Sequence, residues 1–191
     1  MGEAPGERQA RFDRLFADDP DPWDIDTSPY ERGKREAALA ALGKRRFARL
    51  LEVGCAGGAL TERLVERAHS IVAVDVSTKA LELSSRRLNR FDCVELVAAE
   101  VPSYWPDGEF DAVILSEVLY FLGAEEIREV SRLAHRSLSA GGLCLLVNWT
   151  GANDLPVDGD TAAELFLGAA PWHVAKARRE ECYRLDSLAI R

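Results

Sequence analysis

Leu51-Leu-Glu-Val-Gly-Cys-Ala-Gly-Gly-Ala-Leu60 decides how this chain reads. An apolar run leads into Glu52, then into a glycine cluster, and a helix-like segment follows. Such a strand–turn–helix brings backbone amides and a carboxylate up against a nucleotide-like ligand. A dinucleotide loop spaces its glycines G-x-G-x-x-G, which puts amides and a helix N-terminus under a pyrophosphate. Here the pattern is Glu52-x-Gly54-x-Ala56-x-Gly58, an acid and a tight turn without that phosphate cradle. It suits a ligand with a ribose and a zwitterionic amino-acid tail, with S-adenosyl-L-methionine (SAM) as the candidate.

Outward from this stretch, strands and helices alternate. Apolar runs predict strands at 48–53, 71–74, 93–97, 112–115 and 143–147, with helices at 58–68, 78–89 and 124–138 between them. Near-continuous apolar strands separated by amphipathic helices imply a parallel sheet covered on both faces. Upstream, 8–17 fits a short helix with Phe12, Leu15 and Phe16 on one side. The run Asp18-Asp-Pro-Asp-Pro-Trp23 excludes a helix interior. Ser28-Pro29 caps a second helix that runs to Gly43. The tail from 149 reads as a Gly/Asp/Pro-rich loop, a helix near 161–167 and a charged strand at 181–190. The whole, 1–191, is expected to be one domain: residues 1–7 mobile, 8–46 an N-terminal helical lid region, 149–172 an acceptor-side loop.

Composition narrows the function classes. A net charge of −8 over 191 residues argues against nucleic acid as the main partner, because phosphate backbones are held by lysine and arginine. The first twenty residues are polar and no apolar stretch reaches membrane-spanning length. The expectation is a cytoplasmic protein without a membrane partner. Cys55, Cys93, Cys144 and Cys182 form no C-x-x-C pair and no histidine stands at ligand spacing. They read as small buried hydrophobes, with no metal expected.

In open α/β sheets, ligands bind beyond the carboxyl ends of the strands, and four such ends carry polar residues here. The first is the Gly54 turn. The second strand ends in Asp75, 21 residues after Gly54, where a carboxylate can accept both ribose hydroxyls. The third is followed by Ala99-Glu100-Val101 and the fourth by Ser116-Glu117-Val118-Leu119-Tyr120. Asp75 alone could also cap the helix that follows it. Ala56 takes the turn only if it keeps a negative φ.

At these residues the chain resembles the class I SAM-dependent methyltransferases. Glu52-Val-Gly-Cys-Ala-Gly-Gly58 looks like their first motif, Val74-Asp75-Val76-Ser77 like their second, and Phe110-Asp-Ala-Val-Ile-Leu-Ser-Glu117 like the fourth strand with its acid. Asp21-Pro-Trp23, Tyr30-Glu-x-x-Lys34, Leu115-Ser-Glu-Val-Leu-Tyr-Phe-Leu122 and Gly159-Asp160 are similar to the nodulation protein S type of N-methyltransferase. The resemblance implies a three-layer α/β/α Rossmann-like fold, with a seven-stranded, mostly parallel sheet and an antiparallel last strand. It implies that Gly54, Cys55 and Ala56 pack against the methionine moiety, that Glu52 orients the turn, and that Asp75 with Val76 holds the ribose. Glu100 would face the adenine amine and Val101 would offer its amide to the ring. Ser116 would approach the SAM amino group or sulfonium through its carbonyl. Trp23, Tyr30 and Lys34 would close over the cofactor, although Trp23 reads equally as a surface aromatic covering the core. Asn148-Trp149 departs from the His-Trp that the family often shows there, and Ala163 stands where a histidine often follows Gly-Asp.

Methyl transfer to an amine needs alignment and a group to take the proton. Glu117 is the first choice for that base, with Tyr120 orienting the acceptor; a helix-terminus acid is the alternative reading of Glu117. His173, placed on a loop, is the runner-up, while His69 and His135 are placed on helix surfaces. Asp154, Asp158 and Asp160 could line an acceptor pocket or simply form turns. The expected reaction converts SAM to S-adenosyl-L-homocysteine on the amine of an amino sugar or oligosaccharide, in a monomer or weak dimer. O-methylation of another metabolite, a non-catalytic SAM-binding protein and an NAD oxidoreductase are the competing readings.

Overall fold

The computed structural model describes residues 6–152 and 154–190. Most of the segment expected to be mobile therefore lies outside the described residues, but Glu7 already opens helix α1 (Glu7–Asp18). Two compact units follow, Glu3–Glu100 and Val101–Arg191.

The first unit continues with α2 (Pro29–Ala41), β1 (Phe47–Val53), α3 (Ala59–Leu64), β2 (Ala68–Asp75), α4 (Thr78–Leu88) and β3 (Val94–Ala98). Its strands are parallel, β1 with β2 from Phe47↔Ala68 to Val53↔Val74, and β2 with β3 from Ile71↔Val94 to Asp75↔Ala98. Leu50, Leu51 and Ile71 are wholly buried, each contributing about 1.5–3 kcal/mol by leaving water. Helix starts follow the sequence: Ser28 caps α2 through Glu31 N–H, with Pro29 at the first position, and Ser77 caps α4 through Ala80 N–H at 3.1 Å. The helix expected over 58–68 is shorter, because a 3-10 turn at Val65–Arg67 ends it and β2 begins at Ala68. His69 is accordingly an exposed strand residue, not a helical one.

The second unit holds β4 (Phe110–Ser116), α5 (Ala124–Ser137), β5 (Leu138–Trp149), α6 (Gly159–Gly168), β6 (His173–Arg179) and β7 (Tyr183–Ala189). β4 runs parallel to β5, and β7 pairs antiparallel with both β5 and β6. Ile127, Val130 and Ala134 of α5 recur at helical spacing and are wholly buried. The seven-stranded order is β3-β2-β1-β4-β5-β7-β6, the mixed α/β sheet expected from the sequence. β6 is a correction: 173–179 was read without a strand, and His173 lies on this edge strand, where every residue is exposed. The stretch 149–172 carries α6, the helix expected near 161–167.

Candidate cofactor and acceptor sites

In the Glu3–Glu100 unit, the parallel ladder of β1 and β2 delivers Glu52 and Asp75 to the same end of the sheet. The chain leaves β1 with Gly54 and Cys55 N–H both donating to the Val74 carbonyl, at 2.8 and 3.2 Å. Ala56 then adopts φ 47°, and Gly54 and Gly58 are left-handed as well. The expectation of a negative φ at Ala56 is therefore wrong. The conformation costs about 1–2 kcal/mol for an L residue. Two bonds offset it: Ala56 N–H donates to Asp75 Oδ2 at 2.8 Å, and its carbonyl accepts from Ser84 Oγ at 2.6 Å.

Asp75 is thus more than a ribose candidate, because its carboxylate holds the turn. Its Oδ1 accepts from Ser77 N–H at 2.8 Å, and Ser77, not Asp75, is the cap of α4. Burial carries the Asp75 carboxyl up to about 6 against the pull of the Ser77 and Ala56 amides, and the charge of Asp13 adds to the rise. Burial likewise pushes Glu52 up to about 7, opposed by the Thr61 hydroxyl and reinforced by Asp75. Glu52 Oε2 is buried without a hydrogen-bond partner among the described residues. Each Asp75 oxygen keeps a lone pair beyond its one amide. Acceptors for ligand hydroxyls and N–H groups are therefore present, and these oxygens fit the hydroxyls of a ribose and the N–H groups of an α-amino group. Val76 follows Asp75 directly. Burial and the neighbouring charges of Asp75 and Glu52 keep the Cys55 thiol protonated, so it packs rather than reacts.

Helix α1 contributes residues that sequence reasoning missed. Arg8 is 4% exposed and its Nη1 meets Glu100 Oε1 at 2.5 Å, so the acid expected to face an adenine amine already holds a cation. Asp13 Oδ1 accepts from Ser77 Oγ at 2.8 Å and Lys79 N–H at 3.2 Å. Those bonds, with Thr78, outweigh burial and hold the Asp13 carboxyl below its ordinary range. An acid there also suits the positive end of α4. Arg8, Phe12 and Phe16 recur four apart on the buried stripe of α1, and a cation on such a stripe signals a buried acid. Trp23 packs edge-on against Phe16, with ring centroids 5.6 Å apart, and tilts over Phe12. Lys34 is buried, pairs with Glu31 at 2.8 Å and lies 5.1 Å from the Tyr30 ring. Val101 is the first residue of the other unit.

In the Val101–Arg191 unit, Ser116 ends β4 and Glu117 follows at φ 60°. Its N–H donates to the Val147 carbonyl at 2.8 Å. Its carboxylate accepts from Trp149 N–H at 3.1 Å and from the Tyr120 hydroxyl through Oε2. The sequence pair Glu117–Tyr120 is therefore a real contact. Glu117 also stands directly before Val118, the cap of the 3-10 turn Leu119–Phe121. Asp158 caps α6 through Thr161 N–H at 2.7 Å, and Asp160 pairs with Arg179. Among the described residues no group of three or more His, Cys, Asp or Glu could hold a metal ion, and no helix is long and apolar enough to cross a membrane.

Comparison with known proteins shows the family of this chain. The nodulation protein S (NodS) family model matches residues 7–139. Nodulation protein S of Rhizobium tropici is 39% identical over 132 residues, covering 67% of this chain and 54% of that protein. The Bradyrhizobium diazoefficiens protein of the same name is 35% identical over 104 residues, covering 53% and 49%. The chain thus spans about half the length of the curated relatives it matches. The crystal structure of the N-methyltransferase NodS from Bradyrhizobium japonicum, in complex with S-adenosyl-L-homocysteine, superposes with a TM-score of 0.85. It covers 95% of this chain and 97% of that one at 23% identity, which speaks for the fold. With its first motif, its Asp75 clamp and most of its length inside the family match, the chain belongs to the nodulation protein S family.

Proposed function

We propose that this chain is a SAM-dependent N-methyltransferase acting on a small-molecule amine, with an amino sugar or oligosaccharide as the acceptor. The observation that carries the reading is the Asp75 clamp on the left-handed Ala56 turn, which supplies acceptors for a ribose where a pyrophosphate cradle is missing. Family membership supports it. So does the NodS structure bearing S-adenosyl-L-homocysteine, which we take as a guide to the cofactor of this chain. We further propose that the chain works as one methyltransferase domain, needs no metal, has neither nucleic acid nor membrane as partner, acts in the cytoplasm and is a monomer or weak dimer.

When bound, SAM supplies a methyl group on a sulfonium, activated toward an uncharged amine. Asp75 would hold the ribose, with Glu52 and the Gly54–Ala56 backbone around the amino-acid tail. In the same proposal Glu100 and Val101 serve the adenine and the Ser116 carbonyl serves the amino group. Tyr30, Lys34 and Trp23 belong to the covering segment. Glu117 takes the amine proton, and its bonds from Tyr120 and Trp149 N–H fix the carboxylate for that transfer.

A methyl-release assay with isotopically labelled SAM tests the reading. Glucosamine oligomers should be methylated, and N-acetylation of every amine should abolish the signal. Turnover confined to phenolic or carboxylate acceptors would contradict it.

A further inference from the structure

Gly159 and Asp160 open α6, and the function proposed above gives neither of them a task. Their surroundings lead to Trp149, whose N–H donates to the Glu117 carboxylate at 3.1 Å. Gly159 lies against the carbonyl of that residue: a Cβ on it would stand 1.9 Å from the Trp149 carbonyl oxygen and 3.2 Å from Asn148 Cβ. Its backbone is ordinary helix, so close approach and not φ demands a glycine. A Cβ on Gly151 would likewise stand 2.2 Å from the Trp149 indole ring. Trp149 therefore meets bare backbone at both its carbonyl and its ring. Asp160 fixes the turn that carries Gly159. Its carboxylate accepts two bonds from the Arg179 guanidinium of β6, from Nη1 at 2.7 Å and from Nη2, and it faces Arg184 of β7 at 3.6 Å. Arg184 is itself aimed, since its Nε donates to the wholly buried Asp186 at 2.7 Å. In the antiparallel ladder Arg184 lies opposite Asn148, and Tyr183 opposite Trp149. The far end of α6 is anchored separately, where the Phe166 carbonyl accepts from Ser131 Oγ of α5 at 2.6 Å.

We infer that Gly159 and Asp160 are positioning residues for Glu117, which rests on the base role proposed above. The Tyr120 hydroxyl that also holds the Glu117 carboxylate comes from three residues on in the same loop and moves with it. The Trp149 amide comes from β5 and refers the carboxylate to the sheet. Gly159 lets the first turn of α6 press on the Trp149 carbonyl, and Asp160 pins that turn to β6 and β7 through Arg179 and Arg184. The amide is thereby kept in line with the carboxylate. A misplacement of about 1 Å in such a group slows transfer about 10²-fold.

The test has two readouts: the Trp149 amide resonance of isotopically labelled protein loaded with S-adenosyl-L-homocysteine, and single-turnover methyl release to glucosamine oligomers. In Asp160→Ala the resonance should move and transfer should slow about 10-fold, with S-adenosyl-L-homocysteine affinity unchanged. Asp160→Glu, which keeps the charge, should recover part of the rate. Gly159→Ala drives a methyl group against the Trp149 carbonyl and should go further in both readouts, slowing transfer about 100-fold. Because Asp160 acts through Glu117, Asp160→Ala should cost nothing more in a Glu117→Gln background. Ser131→Ala loosens the far end of the same helix and should lower the melting temperature while leaving the Trp149 resonance and the rate in place. An unmoved Trp149 resonance in Asp160→Ala, or an equal slowing in the Glu117→Gln background, would overturn the inference. So would a Ser131→Ala that slows transfer as much, since lost stability would then suffice. Full transfer by Glu117→Gln, or none by wild type, would remove the base role and this inference with it, whereas an unmoved resonance in an active enzyme removes this inference alone.

Discussion

Ala56 and Glu117 are both non-glycine residues in the left-handed region beyond the ends of strands, β1 and β4 respectively, and a carboxylate is involved at each. The roles are reversed. At Ala56 the strained backbone is the object held, and Asp75 from the neighbouring strand holds it through the amide. At Glu117 the strained residue carries the carboxylate itself, and the Trp149 amide and Tyr120 hydroxyl hold that side chain. One turn shapes a surface of backbone; the other aims a reactive group. Strain at such positions persists only where surrounding bonds over-determine it, which is why both cluster with functional candidates.

Substitutions that separate holding from aiming would break this comparison. Asp75→Ala removes both the clamp and the ribose acceptor, and calorimetry should then find no SAM binding; retained affinity would show that the turn stands without it. Glu117→Gln preserves shape and should leave SAM affinity unchanged while slowing transfer about 10²-fold in single-turnover assays. Unchanged turnover would remove Glu117 from the base role.

Smaller effects sharpen the contrast. Glu52 has its carboxyl raised to about 7 from 4.5 by burial, so the folded state binds its proton more tightly than the unfolded chain does. That contribution to stability is complete below about 4.5 and is lost as pH rises through about 7. Glu52→Gln should therefore gain melting temperature relative to wild type at pH 8 but little at pH 4.5, and a pH-independent difference would contradict the assignment. Ala56→Gly relieves the left-handed strain and should stabilise the fold by about 1 kcal/mol, or about 2–4 °C in Tm, with SAM affinity kept. A lower Tm would mean that the Ala56 methyl group makes packing the turn needs.

How far the sequence could be read depends on where each residue finds its partners. The strand cores, the Gly54 turn, Asp75 at the end of β2 and the Glu117–Tyr120 pair were legible because apolar runs and short spacings carry them. The Arg8–Glu100 and Asp13–Ser77 bonds join residues 92 and 64 apart, and no local pattern announces them beyond a cation on an apolar stripe. The φ of Ala56 is set by Asp75 and Ser84 from other elements, so side-chain preference alone predicted it wrongly. β6 escaped because His173–Arg179 is exposed throughout and owes its strand character to the ladder with β7. Asn148 showed only as a departure from a familiar pair of residues; its burial and missing partners come from the tertiary fold.

The most direct test of the central claim is a calorimetric titration of the wild-type chain with SAM, S-adenosyl-L-homocysteine and NAD in turn. SAM and S-adenosyl-L-homocysteine should each bind at one site per chain and NAD should give no heat above dilution. Binding of NAD with no response to either sulfur compound would contradict the account.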